Sequence, residues 1–249
     1  MANSYSIGRL FDIPIRVHVT LLIFLPLFAF SFMPVGGPQG LFYGALGAVG
    51  LFASVALHEI GHSLVARAKG SRILEILLLP IGGMARLDAL PRRPADEIQT
   101  ALAGPAVSLT LGAAGLFFAP LVYAFNPPLA IICHELGRIN IMLVLFNLIP
   151  SFPMDGGRVF RAALVPRLGR LRATRLAAQV GRVFAGVFGI WAFWPLLHHG
   201  QINFFLLFIA YFVYQSAGAE ARQAEREALA DLQRGQPSGL FDDLLRKWH

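Results

Sequence analysis

The sequence comprises 249 residues, of which 56% are hydrophobic and 14% are charged. Soluble domains carry about 25% charged residues, and disordered chains have low hydrophobicity, so the composition excludes both classes. The mean hydropathy is +0.61, and long apolar runs occur, for example over 17–35 and 41–57. Because about 20 apolar residues suffice to cross the hydrocarbon core as a helix, the sequence indicates a polytopic membrane protein.

The formal net charge of +7 would suggest a nucleic-acid partner in a soluble protein. In a membrane protein, Lys and Arg accumulate in cytoplasmic loops without any acidic partner. No basic stretch is interleaved with aromatic residues, so we expect no nucleic acid to bind. Cys133 is the single cysteine, which excludes an internal disulfide and a cysteine-based metal cluster.

Breakers divide the apolar runs into predicted membrane spans. There are six of them, in chain order 17–35, 41–68, 97–124, 129–149, 176–197 and 201–217. Except for Arg138, all Lys and Arg residues lie before the first span, in or near the connections after the second and fourth spans, or in the tail. The positive-inside rule then predicts a cell (inner) membrane protein with both termini in the cytoplasm.

Two segments outside the spans carry further structure. Residues 71–90 are too apolar for a solvated loop and too interrupted to span, so they are predicted to form a β-hairpin. The predicted fold is all-α, with about six transmembrane helices and a small membrane-associated β-hairpin, which we expect near the chemical motif of the second span. We expect one six-span domain over 1–218 and a short cytoplasmic tail over 219–249, helical to about Gln233.

The sharpest chemical signal is His58-Glu59-Ile60-Gly61-His62 in the second span. Residues four apart share one face of a helix, so both imidazoles can reach one metal ion. This is the H-E-x-x-H pattern of zinc hydrolases, in which the glutamate acts as the general base. Ionisable groups inside a span are costly and usually functional, which favours a metal site over a packing cluster.

Catalytic zinc usually has three protein ligands, so one more is needed near the cytoplasmic side. Asp155 is favoured because Pro150 and Pro153 break the fourth span just before it, and Gly156 and Gly157 permit a tight backbone after it. His18 is the runner-up. The full set of candidates is Asp12, His18, Glu75, Asp88 and Asp155.

These motifs resemble those of the site-2 proteases, a family of intramembrane zinc metalloproteases. The sequence contains H-E-x-x-H at 58–62 and N-x-x-P-x-x-x-x-D-G at 147–156, and Gly104-Pro105-Ala106-Val107-Ser108 resembles a third family element. The resemblance extends from about Ile7 to Gly218. The sequence offers no room for the PDZ or CBS domains of many relatives, so it most resembles the compact prokaryotic branch.

The resemblance implies one Zn²⁺ per chain, bound by His58, His62 and Asp155, with Glu59 as the general base. It also implies that Asn147 helps to hold the substrate or the reacting carbonyl. The implied substrates are single-span membrane proteins, such as anti-sigma factors, sporulation precursors or signal-peptide remnants, cleaved in or near their transmembrane segments within the lipid bilayer.

A helical substrate must be unwound before its peptide bonds become accessible, and unpaired backbone is costly in lipid. The predicted hairpin could offer a strand edge to the extended substrate. Gly82 and Gly83 are therefore candidate substrate-binding residues.

Two alternatives to a protease are a catalytically inactive scaffold that binds membrane segments and a metal transporter. An inactive scaffold has no need of His58, Glu59, His62 and Asp155 together. A transporter should carry ligands at several depths across the membrane, whereas the candidates here cluster near one face. Both considerations favour the protease.

Overall fold

The computed structural model describes residues 4–80, 82–88 and 93–233. Within them, four strands and eight helices are formed. In chain order they are β1 (Ser4–Leu10), β2 (Ile13–His18), α1 (Val19–Phe30), α2 (Met33–Ala68), β3 (Ile73–Leu79), β4 (Gly82–Leu87), α3 (Pro94–Tyr123), α4 (Pro127–Asn147), α5 (Asp155–Leu168), α6 (Arg170–Ala192), α7 (Trp194–His199) and α8 (Phe204–Gln233).

The helical class predicted from composition is confirmed, with a helix count close to the six spans expected. Five helical segments of the described residues are long and apolar enough to cross a membrane. They are Gly37–Ala68, Pro94–Tyr123, Pro127–Asn147, Arg170–Leu196 and Phe204–Ala230. The predicted helix in the tail is the continuation of α8, which ends at Gln233, while residues 234–249 lie outside the described residues.

The first predicted span, 17–35, differs from the structure. Val17 and His18 belong to β2, and the apolar residues after them form α1, a helix of only 12 residues. His18 caps this helix, because its side chain accepts a hydrogen bond from the backbone N–H of Thr20. Hydropathy alone could not reveal this boundary, since only His18 separates the apolar Val17 of β2 from the apolar residues of α1.

The predicted hairpin at 71–90 is confirmed as β3 and β4, apart from Ile81, Ala89 and Leu90, which lie outside the described residues. It belongs to a larger sheet with strand order β1-β2-β3-β4. β1–β2 and β3–β4 are antiparallel, whereas β2–β3 is parallel. β4 is therefore an edge strand.

The chain divides into two compact units. The first contains Met1–Arg92 and Leu102–Phe146, that is, the sheet with α1, α2, α4 and most of α3. Its core is formed where one face of α2 packs on the sheet. The buried residues of this core are Ile13, Val17, Leu21, Phe52, Ala56, Ile60, Ile76 and Leu78. Phe52, Ala56 and Ile60 are four residues apart and so share one helical face.

The second unit contains Arg93–Ala101 and Asn147–His249. Here α6 packs along α8 through small residues, among them Ala177, Ala178 and Ala217. Phe152 and Met154, from the turn before α5, are buried against these helices. Small residues let helix backbones approach closely in a membrane. They also leave space beside α6 and α8, which the side chains of Phe152 and Met154 fill.

Candidate metal centre

His58 and His62 are buried on the face of α2 that looks towards α3. Their Nε2 atoms lie 3.1 Å apart. Two nitrogen ligands of a tetrahedral zinc, each about 2.0–2.1 Å from the metal, are separated by about 3.4 Å. The pair is therefore spaced as two ligands of one ion would be, which confirms that the H-E-x-x-H spacing brings both imidazoles together.

Ser108 on α3 sets the orientation of the first imidazole. Its Oγ lies 2.9 Å from His58 Nδ1, and both side chains are buried. Because Nδ1 is engaged by the hydroxyl, Nε2 is the nitrogen that remains for a metal. A partner on the second ring nitrogen is a common feature of metal-binding histidines, since it fixes the tautomer and the ring plane.

Gly104 gives the two imidazoles the space that they occupy. A Cβ at this position would overlap His62 Nε2 and lie 2.7 Å from His58 Nε2. On the facing helix α2, a Cβ on Gly61 would lie 2.9 Å from the carbonyl oxygen of Ala103 in α3. The two glycines thus permit the close approach of α2 and α3 at the level of the histidines.

Glu59 points away from this contact, towards the sheet. The backbone N–H of Ala85 in β4 donates a hydrogen bond to Glu59 Oε2 at 3.2 Å. A Cβ on Gly83 would lie 2.5 Å from Glu59 Cγ, so the strand passes the glutamate at van der Waals distance only because residue 83 is glycine. The candidate substrate-binding residue Gly83 therefore lies beside the candidate base.

Asp155 is the first residue of α5 and is buried. A carboxylate is favoured at a helix N-terminus by the helix dipole. A Cβ on Gly156 would overlap the carbonyl oxygens of Leu148 and Ile149, and one on Gly157 would lie 2.6 Å from the carbonyl carbon of Ser151. The Gly-Gly pair thus allows the helix to begin against the chain that precedes it.

Among the described residues, one group of three histidine, cysteine or acidic side chains could hold a metal ion: His58, His62 and Asp155. The ligand atoms of these three buried residues all lie within 4.8 Å of one another. Two imidazoles and a carboxylate fit catalytic zinc, which commonly takes three protein ligands of these types. These three residues are the ones that the sequence favoured as ligands, and their assignment to zinc stays a prediction.

The other candidate ligands have different roles in the structure. Asp88 accepts a hydrogen bond from the backbone N–H of Arg72, and Glu75 forms ion pairs with Arg16 and Arg86. The runner-up, His18, is the cap of α1. Asp12 lies in the turn between β1 and β2 with a positive φ of 62°.

Two further candidate substrate-binding residues lie at the ends of elements. Gly82 begins β4 with a φ of +138°, and no atom lies within 4 Å of the position that its Cβ would take. Asn147 ends α4 and is half-buried. Sequence reasoning missed the roles of Ser108 and Gly104, although both lie in the Gly104–Ser108 segment that it singled out.

Comparison with known proteins agrees with this centre. The family model of peptidase family M50 matches residues 46–133 and 128–188. Zinc metalloprotease MJ0392 of Methanocaldococcus jannaschii is 37% identical over 230 residues, which are 92% of this chain and 64% of that protein. Stage IV sporulation protein FB of Bacillus subtilis is 28% identical over 70% of this chain and 58% of its own length.

A solved structure, that of the site-2 protease from Methanocaldococcus jannaschii, is also similar. The TM-score is 0.62 and the identity 35%, with 88% of this chain and 95% of that chain covered. The chain spans a little less than two thirds of the length of the curated relatives that it matches most strongly.

We predict that Gly104→Ala lowers zinc affinity by about tenfold or more, the usual cost of disturbing groups that orient metal ligands. The added methyl group displaces both imidazoles. Gly47→Ala in α2 is the matched control, because no atom lies within 4 Å of its Cβ position. Zinc per polypeptide, titrated against a chelator, is the measurement. Equal affinity in the two variants would contradict the assigned role of Gly104.

Proposed function

The chain belongs to peptidase family M50, and we propose that it is an intramembrane zinc endopeptidase that cleaves membrane-protein substrates in or near their transmembrane segments. The predicted resemblance to the site-2 proteases is thereby confirmed, and the predicted enzyme class, a zinc metallopeptidase, is that of the family and of its named relatives. The activity of this chain, its site residues and its substrates are the proposal.

The observation that carries the proposal is the buried set of two imidazoles and one carboxylate, with Glu59 directly beside the first imidazole in sequence. We assign His58, His62 and Asp155 as the zinc ligands. When bound, zinc would supply Lewis acidity for activating water and polarising the scissile carbonyl. The Ser108 hydroxyl engages His58 Nδ1, which orients the ring and leaves Nε2 for the metal.

Glu59 is assigned as the general base. Its Oε2 is held by the N–H of Ala85, which orients the carboxylate and leaves Oε1 for proton transfer. In the proposed reaction, Glu59 takes a proton from the attacking water and later gives it to the leaving amine. A carboxylate on the strand side of α2 is well placed for this, because it faces the edge strand that would hold the substrate.

Substrate binding is assigned to β4. The N–H of Ala85 points to Glu59 and not to β3, and backbone groups alternate in direction along a strand, so the N–H and C=O of Gly83 also face away from the sheet. An unwound substrate could pair with this edge by β-augmentation. Gly82, Gly83 and Asn147 remain the candidate substrate-binding residues.

The two alternative functions lack a specific observation in their favour. A transporter needs ligands along a path through the membrane, yet within residues 4–80, 82–88 and 93–233 a single group of three such ligands is found. An inactive scaffold would not require Glu59 to be oriented by a backbone donor. We therefore propose the peptidase.

The proposed setting follows from the charge pattern. Both termini would be cytoplasmic, in the cell (inner) membrane, with residues 1–218 as the catalytic domain and 219–249 as a tail. The proposed substrates are single-span membrane proteins, for which anti-sigma factors and signal-peptide remnants are the models. No nucleic acid takes part in the proposed function.

We predict that Asp155→Ala lowers bound zinc from about one per polypeptide to well below one, because catalytic zinc relies on three protein ligands. His18→Ala is the control for the runner-up ligand, and it should keep its zinc. Zinc is counted per purified polypeptide in mild detergent. Full zinc content in Asp155→Ala, or loss of zinc in His18→Ala, would contradict the assignment of Asp155 as the third ligand.

Glu59→Gln tests the peptidase itself. Loss of a general base lowers turnover by about 10²–10⁴-fold, whereas the zinc content should stay that of the wild type. The measurement is mass-spectrometric detection of cleavage products from a pool of single-span segments. Glu225→Gln on α8, which lies at an exposed ion pair, is the charge-matched control. Equal product formation by Glu59→Gln and wild type would refute the assignment.

If the substrate pairs with the edge of β4, the effect of backbone N-methylation on binding should repeat every two residues of the peptide. N-methylation of successive backbone positions in a cleaved peptide should abolish binding at every second position, because alternate N–H groups of an extended chain face its partner strand. Inhibition constants of the methylated peptides provide the measurement. A uniform loss of binding along the peptide would contradict strand pairing at β4, while the assignment of the peptidase activity itself would stand.

A further inference from the structure

The second unit has a groove between α6 and α8 that the proposed peptidase chemistry does not use. Its volume is about 700 Å³. The apolar part is lined by Ala185 and Gly186 on α6 and by Phe204, Leu207 and Phe208 on α8. Phe204 and Phe208 are 72% and 52% exposed, so the groove opens on the outer surface of the helices.

Two arginines meet at one end of this groove. Arg182 lines it, and its guanidinium carbon lies 5.6 Å from the ring centroid of Tyr214. A Cβ on Gly218 would lie 3.2 Å from Arg222 Nη1 and 3.5 Å from Arg182 Nη2. The two guanidinium groups therefore reach the same point on α8, from two different helices.

Within the part of the chain that the structure describes, these two cations have no acidic partner. Throughout residues 4–80, 82–88 and 93–233, neither Arg182 nor Arg222 forms an ion pair. By contrast, Arg175 on α6 pairs with Glu225 on α8. Two like charges held together beside apolar surface repel each other strongly, because the local dielectric constant is low. An anion between them would turn this repulsion into attraction.

The dimensions suit a lipid. From Phe204 to Gly218, α8 contains no charged residue, and the first charge after this stretch is Glu220. Between Phe204 and Tyr214 the helix rises about 15 Å, which is half of the roughly 30 Å hydrocarbon thickness of a bilayer. Tyr214 lies at the arginine end of the groove, beside Arg182, where tyrosine favours the headgroup boundary.

We propose that this groove binds one anionic phospholipid, with its phosphate between Arg182 and Arg222 and one acyl chain along the apolar part. The phospholipid would belong to the leaflet on the charged side of α8. Guanidinium groups bind phosphate through paired charge-assisted hydrogen bonds, and the apolar groove distinguishes a lipid from a free phosphate ion.

The test uses full-length protein in a neutral detergent with palmitoyl-oleoyl-phosphatidylglycerol, and bound lipid is counted by native mass spectrometry. One retained lipid is expected for wild type, and Arg182→Gln and Arg222→Gln should each weaken binding by about tenfold. Arg175→Gln is the matched control on α6, because it removes the same charge away from the groove. Unchanged binding by both groove variants would overturn the proposal.

Three further measurements separate the parts of the site. Phosphatidylcholine with the same acyl chains should bind more weakly, and equal binding would overturn the role of the headgroup charge. Gly186→Leu, whose Cβ position is open, should fill the groove and weaken binding, whereas Val187→Leu should not. Wild-type binding by Gly186→Leu, or displacement of the lipid by equimolar inorganic phosphate, would overturn the acyl-chain assignment.

These measurements do not depend on proteolysis. Lipid retention can be recorded for Glu59→Gln as well as for wild type, and both should bind phosphatidylglycerol equally. Failure of the peptidase assay would therefore leave the lipid result unaffected, and loss of lipid binding in the arginine variants would leave the assigned zinc ligands unaffected.

Discussion

The structure depends on one constraint, which is that two imidazoles must be buried between apolar helices with their ring nitrogens directed to one point. An unsatisfied polar group in such surroundings costs several kilocalories per mole. The Ser108 hydroxyl satisfies His58 Nδ1, and Gly104 leaves the space in which the two Nε2 atoms approach each other. The close contact of α2 with α3 therefore serves both packing and the metal centre.

The second requirement is a carboxylate at a fixed position after a broken helix. Asp155 follows a turn whose Phe152 and Met154 are buried among the small residues of α6 and α8. Arg161, one and a half turns further along α5, is buried, ion-paired with Glu97 and placed 5.1 Å from the Phe152 ring. A buried pair of this kind is costly to break. The start of α5 is therefore fixed within its unit by the packing of the preceding turn and by this ion pair.

Sequence reasoning predicted the features that depend on local patterns. The H-E-x-x-H spacing, the hairpin and the helix-breaking prolines before Asp155 each lie within a few residues of one another, so periodicity and backbone chemistry suffice to interpret them. The residue pattern favoured Asp155 as the third ligand with His18 as the runner-up, and the resemblance to a known family implied the same ligand. The structure gives His18 another role, as the cap of α1.

The parts that could not be predicted depend on contacts between distant segments. β2 pairs with β3 across the whole of α1 and α2, so Val17 and His18 looked like the start of a membrane span until their partner strand was known. The roles of Gly104 and Ser108 lie in the interhelical contact and leave no local pattern.

Two neighbouring residues of α2 point in different directions: His58 faces α3, whereas Glu59 faces β4. A helix turns by about 100° per residue, so one dipeptide directs the proposed metal ligand to α3 and the proposed base to the sheet. In the proposed reaction, an extended substrate on β4 would lie on the side of the proposed base, which is where a water molecule must lose its proton for the peptide bond to be cut.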